Sequence, residues 1–195
     1  MNTTCKLLLL WAFLGITCLG CTPKAEPEPK IDYQQLMTQI MKDLSPQLIG
    51  TWNLREVRVK LRSPGYGNPL NLTKDSIFRN LATMTIVPAT KPRTLPIDPR
   101  RGEYEGTIRY RNKTYPIRLN MWPSTWVYER KGPQAFLLLD YNFPEGIRTT
   151  ESEEQFLVDL GLVYDTFSLE TTIGQPTMKW VGLNRGIDRI EFVKQ

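Results

Sequence analysis

The fold of this 195-residue chain is decided by the stretch LIGTWNLREVRVK at residues 48–60. Gly50 allows the chain to turn sharply, and Trp52 supplies one large side chain for a core. A valine-containing run with charged residues between the valines follows, which is typical of a β-strand. Pro46 lies just before the stretch and ends the preceding element. The stretch therefore predicts a first strand that begins at Gly50 and is anchored by an indole.

The in–out alternation of side chains changes midway along this strand. Trp52 and Leu54 share one face, whereas the alternate apolar residues of the segment from Val57 to Leu61 share the other. A β-bulge near Arg55-Glu56 would return both sets to the interior and bend the strand, as a barrel needs. The alternative is a short strand followed by a separate one.

Short apolar segments with turn residues between them occupy most of the remaining chain. The clearest strand pattern is a hairpin over residues 104–121 with its turn at Asn112-Lys113. Further strands are predicted at residues 81–87, around Trp126 and Tyr128, at 134–141, at 162–172 and in a closing hairpin over 178–194. Glu151 to Leu160 fits either a helix or a strand. Such meander spacing, without regular helix–strand alternation, predicts an all-β antiparallel barrel.

The Gly-x-Trp step and the closing hairpin resemble the lipocalin and lipocalin-like (calycin) families. The resemblance implies an antiparallel β-barrel of about 8–10 strands over residues 47–195. In those families a basic residue of the last strand stacks on the tryptophan of the first, which implies a cation–π contact from Arg189 or Arg185 to Trp52. Gly50, Trp52 and Arg189 are then expected to close the barrel structurally and not to contact a ligand.

The first 20 residues have the layout of a secretory signal. A single basic residue, Lys6, precedes the apolar run Leu7 to Ile16, which is too short to span a membrane. Gly20-Cys21 resembles the lipobox of bacterial lipoproteins, in the looser form of Bacteroidota. The resemblance implies a lipid on Cys21 and a cell-envelope location at the outer membrane, in either leaflet. The alternative is a cleaved signal with an incidental cysteine.

A tether and a helix are predicted between the lipid and the barrel. Residues 21–30 contain three prolines among charged residues, a composition that excludes helix and sheet. An amphipathic helix is predicted from Ile31 to Leu44, within the segment 31–46, with Asp32 as its N-cap. We expect its apolar stripe to lie against one mouth of the barrel. A membrane surface or a partner protein is the other surface that such a stripe fits.

The residue inventory favours a protein that is not an enzyme. The chain has no histidine, which removes the usual general base, the commonest metal ligand and histidine-assisted nucleophiles. Cys5 and Cys18 would leave with the signal, and acylation would block Cys21. We interpret the cluster Glu151, Glu153 and Glu154 as a solvated acidic face more readily than as a glycosidase pair or a Ca²⁺ site. We expect no metal and no other cofactor.

Two groups of side chains are candidate binding residues. The inward-facing residues of the predicted barrel line a ligand cavity or form a packed core; they are Tyr104, Tyr110, Tyr115, Ile117, Leu119 and Trp126. Basic residues would gather on the outer face of one hairpin, either as a contact face or as the wet side of a sheet; they are Arg109, Arg111, Lys113 and Arg118.

The sequence therefore predicts a lipid-anchored envelope protein that binds a small apolar or amphipathic ligand without catalysis. One alternative is an accessory subunit of an outer-membrane protein complex. Another is glycan binding through exposed aromatic residues such as Trp122 and Trp126. The expected partners are the membrane, through the lipid, and a small ligand or an envelope protein. Nucleic acid is not expected, because binding it conflicts with an envelope location.

Overall fold

The computed structural model describes the chain over residues 31–61, 69–91, 93, 98–124, 126–129, 131–171 and 175–195. The predicted signal, Cys21, the tether and residues 62–68 lie outside the described residues. Within the described part no helix has the length and apolar character needed to cross a membrane.

Nine strands and three helices follow one another along the chain. The helices are α1 (Tyr33–Leu48), the single-turn α2 (Trp126–Glu129) and α3 (Ser152–Leu160). The strands are β1 (Gly50–Val59), β2 (Ser76–Arg79), β3 (Thr83–Pro88), β4 (Gly102–Tyr110), β5 (Lys113–Pro123), β6 (Ala135–Tyr141), β7 (Asp165–Thr171), β8 (Thr177–Gly182) and β9 (Ile187–Lys194).

All these strands belong to one antiparallel sheet that closes on itself. The sheet runs from β1 through β3 and onward in chain order to β9, and β9 pairs back with β1. β2 and β3 are two halves of one interrupted strand, because β2 pairs with the second half of β1 and β3 with the first half. The result is a closed eight-stranded barrel, which confirms the predicted fold class.

The predicted bulge in β1 is confirmed. Leu54 lies opposite Phe192 and Glu56 lies opposite Glu191, so Arg55 is an extra residue between two paired positions. The shift turns both apolar sets of the strand inward, and Val57 has no exposed surface. Leu61, however, was predicted to continue this set and is 44% exposed, because β1 ends two residues earlier.

Helix α1 covers one end of the barrel, as predicted from its apolar stripe. Its buried side chains are Met41, Leu44 and Leu48. The hydroxyls of Ser45 and Tyr104 are hydrogen-bonded at 2.6 Å, which links the helix to the start of β4.

The two ends of α1 follow from local chemistry in different ways. The Asp32 carboxylate accepts hydrogen bonds from the backbone N–H groups of Gln34 and Gln35, which confirms the predicted N-cap. The predicted end before Pro46 is wrong, since the helix continues to Leu48. Leu48 is fully buried and its carbonyl accepts a hydrogen bond from the Trp52 indole at 2.9 Å, so tertiary contacts hold the last turn after the proline.

Helix α3 covers the opposite end, and the segment that fitted either a helix or a strand is a helix. The Phe156 ring stacks on Tyr110 at 5.3 Å between ring centroids, and Leu157 and Leu160 have no exposed surface. The Tyr141 hydroxyl donates to the Glu154 carbonyl at 3.1 Å. These contacts dock the helix on the ends of β4 and β6.

The strand predicted around Trp126 and Tyr128 is wrong, because these residues form α2. The Ser124 N–H donates to the Gln134 carbonyl at 3.0 Å, which extends the pairing of β5 and β6 by one residue on each strand. Residues 126–129 lie beyond this pair of strands and form a single helical turn.

The close approach of β3 and β4 at Gly106 gives a stability prediction. A Cβ atom at this position would collide with the Thr85 carbonyl oxygen of the neighbouring strand. We expect Gly106→Ala to lower the free energy of unfolding by about 1–3 kcal/mol, because the methyl group forces the strands apart. Thr107→Ala, at an exposed position next to it, should change the value by less than about 0.5 kcal/mol. Urea unfolding followed by tryptophan fluorescence measures both, and equal stabilities would contradict the prediction.

Candidate functional site

The side chains predicted to line a ligand cavity are packed core. Tyr104, Tyr110 and Tyr115 are 3%, 7% and 4% exposed, and Ile117 and Leu119 are completely buried. A side chain with no surface open to a water-sized sphere borders no void that a ligand could fill. The side chain of the sixth candidate, Trp126, lies outside the described residues.

Each end of the filled interior is covered by a helix. Tyr104 and Tyr110 lie at opposite ends of β4, about 20 Å apart at the usual rise of a strand. The first is hydrogen-bonded to Ser45 of α1, and the second stacks on Phe156 of α3. In the part of the chain that the structure describes, the barrel therefore resembles a plugged cylinder and not an open cup.

The residues that close the barrel are partly those predicted. Gly50 has φ of +138°, and a Cβ there would lie 2.8 Å from the Lys194 side chain, so this position requires glycine. Lys194 lies opposite Trp52 in the β1–β9 pair, and its ammonium is 5.4 Å from the indole ring centroid. This is the expected contact from a basic residue of the last strand to the first-strand tryptophan.

The prediction that Arg189 makes this contact is wrong, because the register places Arg189 opposite Arg58. Its guanidinium pairs with Glu191 at 3.1 Å. Arg185, the alternative, donates to the Val158 carbonyl at 2.8 Å and so fastens the β8–β9 turn to α3.

The predicted basic face is divided by the tertiary structure. Arg118 is 6% exposed, and its guanidinium contacts the Glu103 carboxylate at 3.2 Å and the Lys91 carbonyl at 2.6 Å. The segment that follows β3 therefore folds over this arginine. Arg109 and Arg111 remain exposed on the same hairpin.

Lys113, the fourth predicted basic residue, holds the acidic cluster of α3. Its ammonium lies 3.0 Å from Glu151 and 3.1 Å from Glu153. The third acid, Glu154, is buried and pairs with Arg148. The cluster interpreted as a solvated acidic face therefore attaches α3 to the β4–β5 hairpin, and no group of acids among the described residues has a metal-binding arrangement.

The contact with Lys113 changes the protonation of the cluster. Its hydrogen bond lowers the pKa of Glu153 from the ordinary 4.5 to about 2, and it lowers the pKa of Glu151 as well. Burial, with a hydrogen bond to Glu151, raises the pKa of Tyr115 to about 12. These groups are therefore in their ion-paired or neutral forms at neutral pH, where they hold helix and hairpin together.

An apolar surface that the sequence analysis did not identify lies outside the barrel. A row of paired residues crosses four strands, from Trp122 through Phe136 and Ser168 to Val181. Leu138 and Leu183 lie beside this row. We call Trp122, Phe136, Leu138, Val181 and Leu183 the apolar face. The signal in the sequence is that residues 135–139 are apolar at both parities, although only one parity faces the core.

The lowered pKa of Glu153 gives a prediction of acid sensitivity. A carboxyl whose pKa is lower in the folded chain stabilises the fold above its unfolded pKa, and this contribution is lost as the pH falls from about 4.5 toward 2. We expect the thermal midpoint of Lys113→Met to fall less over this range than that of the unmodified chain, because the largest cause of the shift is gone. Lys131→Met, at an exposed site elsewhere, is the matched control and should follow the unmodified chain. Parallel curves for all three proteins would contradict the assignment.

Comparison with known proteins does not add a family to this geometry. No protein-family model, no curated protein and no solved structure matches the chain. The fold shown is a closed eight-stranded antiparallel barrel with a helix at each end.

Proposed function

We propose that this chain is a lipid-anchored cell-envelope protein that acts, without catalysis, as an accessory subunit of a protein complex. The observation that carries the proposal is the filled barrel with a covered end on each side. Such a barrel leaves its outer surface as the place where binding occurs. A carrier of small apolar ligands instead needs an internal void, which the inward side chains of the described residues do not leave.

The apolar face is the outer surface best suited to a partner protein. Trp122 and Phe136 are half-buried neighbours whose ring centroids lie 6.3 Å apart, and aromatic residues are enriched at the centres of protein interfaces. Ser168, between Phe136 and Val181 in the row, is only 5% exposed. The outward side chains here are thus close-packed before any partner binds, which reduces the entropy cost of association.

The rim of the apolar face favours a protein over a lipid surface. Arg189 continues the row beyond Val181, and Asp140 lies on β6 beside Leu138. The ion pair between Lys179 and Glu170 joins β8 to β7 two residues along from Val181 and Ser168. Charges of both signs around an apolar centre match the polar rim of a protein interface, whereas anionic lipid attracts a rim of basic residues.

The anchor in this proposal is supported by the sequence of the first 30 residues. The apolar run, Gly20-Cys21 and the proline-containing tether have the order found in lipoproteins. An acyl group would confine the barrel to the membrane surface, and the tether would allow the apolar face to turn toward a neighbouring envelope protein. Confinement of this kind raises the local concentration of two partners that share a membrane.

Charge introduced on the apolar face tests the interface. We expect the tagged chain, extracted from its native membrane in mild detergent, to migrate on a native gel as part of a complex larger than itself. Phe136→Lys or Val181→Lys should release it, because each places an unpaired charge at the centre of the contact. Thr107→Lys, an equal charge change on the outside of β4, should leave the complex intact.

Two results would contradict this proposal. The first is that the chain extracted from native membranes migrates alone. The second is that both apolar-face variants still migrate in the complex although each has the thermal midpoint of the unmodified chain. Sedimentation of the purified chain identifies self-association, since a dimer that the same variants dissociate would make the partner a second copy.

The anchor has its own test. Cys21→Ser should abolish incorporation of radiolabelled palmitate and move the chain from the membrane fraction to the soluble fraction, because the acylated thiol is gone. Cys5→Ser removes a cysteine on the other side of the apolar run and should change neither measurement. Labelling that persists in Cys21→Ser would refute the lipid assignment without affecting the interface.

A further inference from the structure

A polar groove lies on the outside of the barrel at the break between β2 and β3. Its volume is about 520 Å³, and its polar lining consists of Asn53, Asn80, Thr83, Arg109, Arg111 and Asn112. This volume is within the range of roughly 300–1,000 Å³ usual for small-molecule sites. The groove shares no residue with the apolar face.

The strand register brings the lining residues together from three strands. Asn53 of β1 lies opposite Thr83 of β3, which lies opposite Arg109 of β4. Adjacent strands are about 4.8 Å apart, so the backbones of Asn53 and Arg109 are separated by roughly 10 Å. Arg111 and Asn112 reach the same groove from the β4–β5 turn.

The groove carries positive charge that the described residues hardly neutralise. None of the lining residues is acidic. Within the described part of the chain Arg109 makes no ion pair, and Arg111 has only Glu153, at 3.8 Å. The Arg111 guanidinium also lies over the Tyr110 ring at 5.2 Å, which holds it beside the groove. By contrast, Arg118 and Lys113 of the same hairpin are each paired with carboxylates at 3.0–3.2 Å.

Left-handed backbone geometry at two turns places two of the lining residues. Asn80 and Arg111 have φ of 49° and 54°, in the left-handed region, which asparagine adopts more readily than arginine. The first marks the break between β2 and β3, and the second forms the hairpin turn. Both positive-φ residues direct the chain so that their side chains line the groove.

The other polar donors of the groove lie together with the arginines. Asn80 and Thr83 carry an amide and a hydroxyl group, and both residues line the groove with Arg109 and Arg111. The Asn53 side-chain oxygen, by contrast, is enclosed, so a ligand in the groove has no room to reach it. The groove thus offers guanidinium, amide and hydroxyl donors for an anion.

We propose that this groove binds a phosphate monoester. Arg109 and Arg111 contact the phosphate oxygens, and the group that carries the phosphate points out of the open groove. Phosphate fits better than carboxylate because two guanidinium groups, with the amide and hydroxyl donors of Asn80 and Thr83, offer more donors than two carboxylate oxygens accept. This inference does not depend on the proposed protein partner.

Calorimetric titration of the full chain in detergent tests the arginines. The probes are glucose 6-phosphate, inorganic phosphate and glucose, and we expect the two phosphates to bind and glucose not to bind. Arg109→Gln and Arg111→Gln should each weaken binding of glucose 6-phosphate by about tenfold or more. Arg101→Gln removes an equal charge from an exposed residue outside the groove and should change the affinity less than about twofold.

The hydroxyl donor of Thr83 has a separate test, which also covers a failure of the arginine variants to fold. Thr83→Val keeps the shape of the side chain but removes its hydroxyl group. We expect it to weaken binding of glucose 6-phosphate and of inorganic phosphate by about the same factor, roughly two- to fivefold. Unchanged affinities for both phosphates would refute the role of Thr83.

Vesicles distinguish the two sources of such a phosphate. Binding to phosphatidic acid vesicles that exceeds binding to phosphatidylcholine vesicles, and that is lost in Arg109→Gln, would assign the site to a lipid headgroup. Tighter binding of glucose 6-phosphate than of these vesicles would assign it to a phosphorylated saccharide. The proposal is overturned if neither phosphate probe nor phosphatidic acid binds at about 10 mM, or if Arg101→Gln weakens binding as much as Arg109→Gln does.

Discussion

The pairing of β9 with β1 closes the sheet, and the rest of the structure depends on this closure. The pair runs along β1 from Trp52 to Val59, and the bulge at Arg55 lets the strand bend while both of its apolar sets stay inside. Gly50 provides the close approach that the Lys194 side chain needs, and Lys194 in turn lies over the Trp52 ring. The cylinder is therefore fastened where the chain enters the barrel and where it leaves.

A closed barrel of eight strands is narrow enough for side chains to fill. Here aromatic rings and aliphatic chains from every strand of the cylinder meet in the middle, and the two longer helices cover the ends through Leu48 and Leu157. A ligand in this interior would have to displace packed side chains, at a cost of the order of the burial energy of each, about 1.5–3 kcal/mol. The physics of packing thus moves binding from the inside of the barrel to the outside.

The outside is divided into regions of different chemistry. The apolar face lies on β5, β6 and the end of β8, and it contains the two aromatic rings of Trp122 and Phe136. On β1, β3 and β4 the outward residues are mostly polar, and the hydroxyls of Thr51 and Thr85 are 3.3 Å apart on neighbouring strands. One barrel can therefore present a protein-binding surface and an anion-binding groove without either interfering with the other, because the closed sheet separates them.

The sequence by itself determined the features that depend on local alternation and capping. The change of parity between Leu54 and Val57 was enough to predict the bulge, and Asp32 was enough to predict the start of α1. These features were predictable because a strand or a helix turn requires them whatever surrounds it.

Only the tertiary structure decided which of several equivalent residues has a given role. Arg109 and Arg118 look alike in an alternating strand, yet the segment after β3 covers one and leaves the other in the groove. Lys194 and not Arg189 lies on Trp52, because the register between the first and last strands is a long-range property. The tyrosines expected around a ligand are core for the same kind of reason: alternation shows which way a side chain points, but only the closure of the barrel sets how much space remains there.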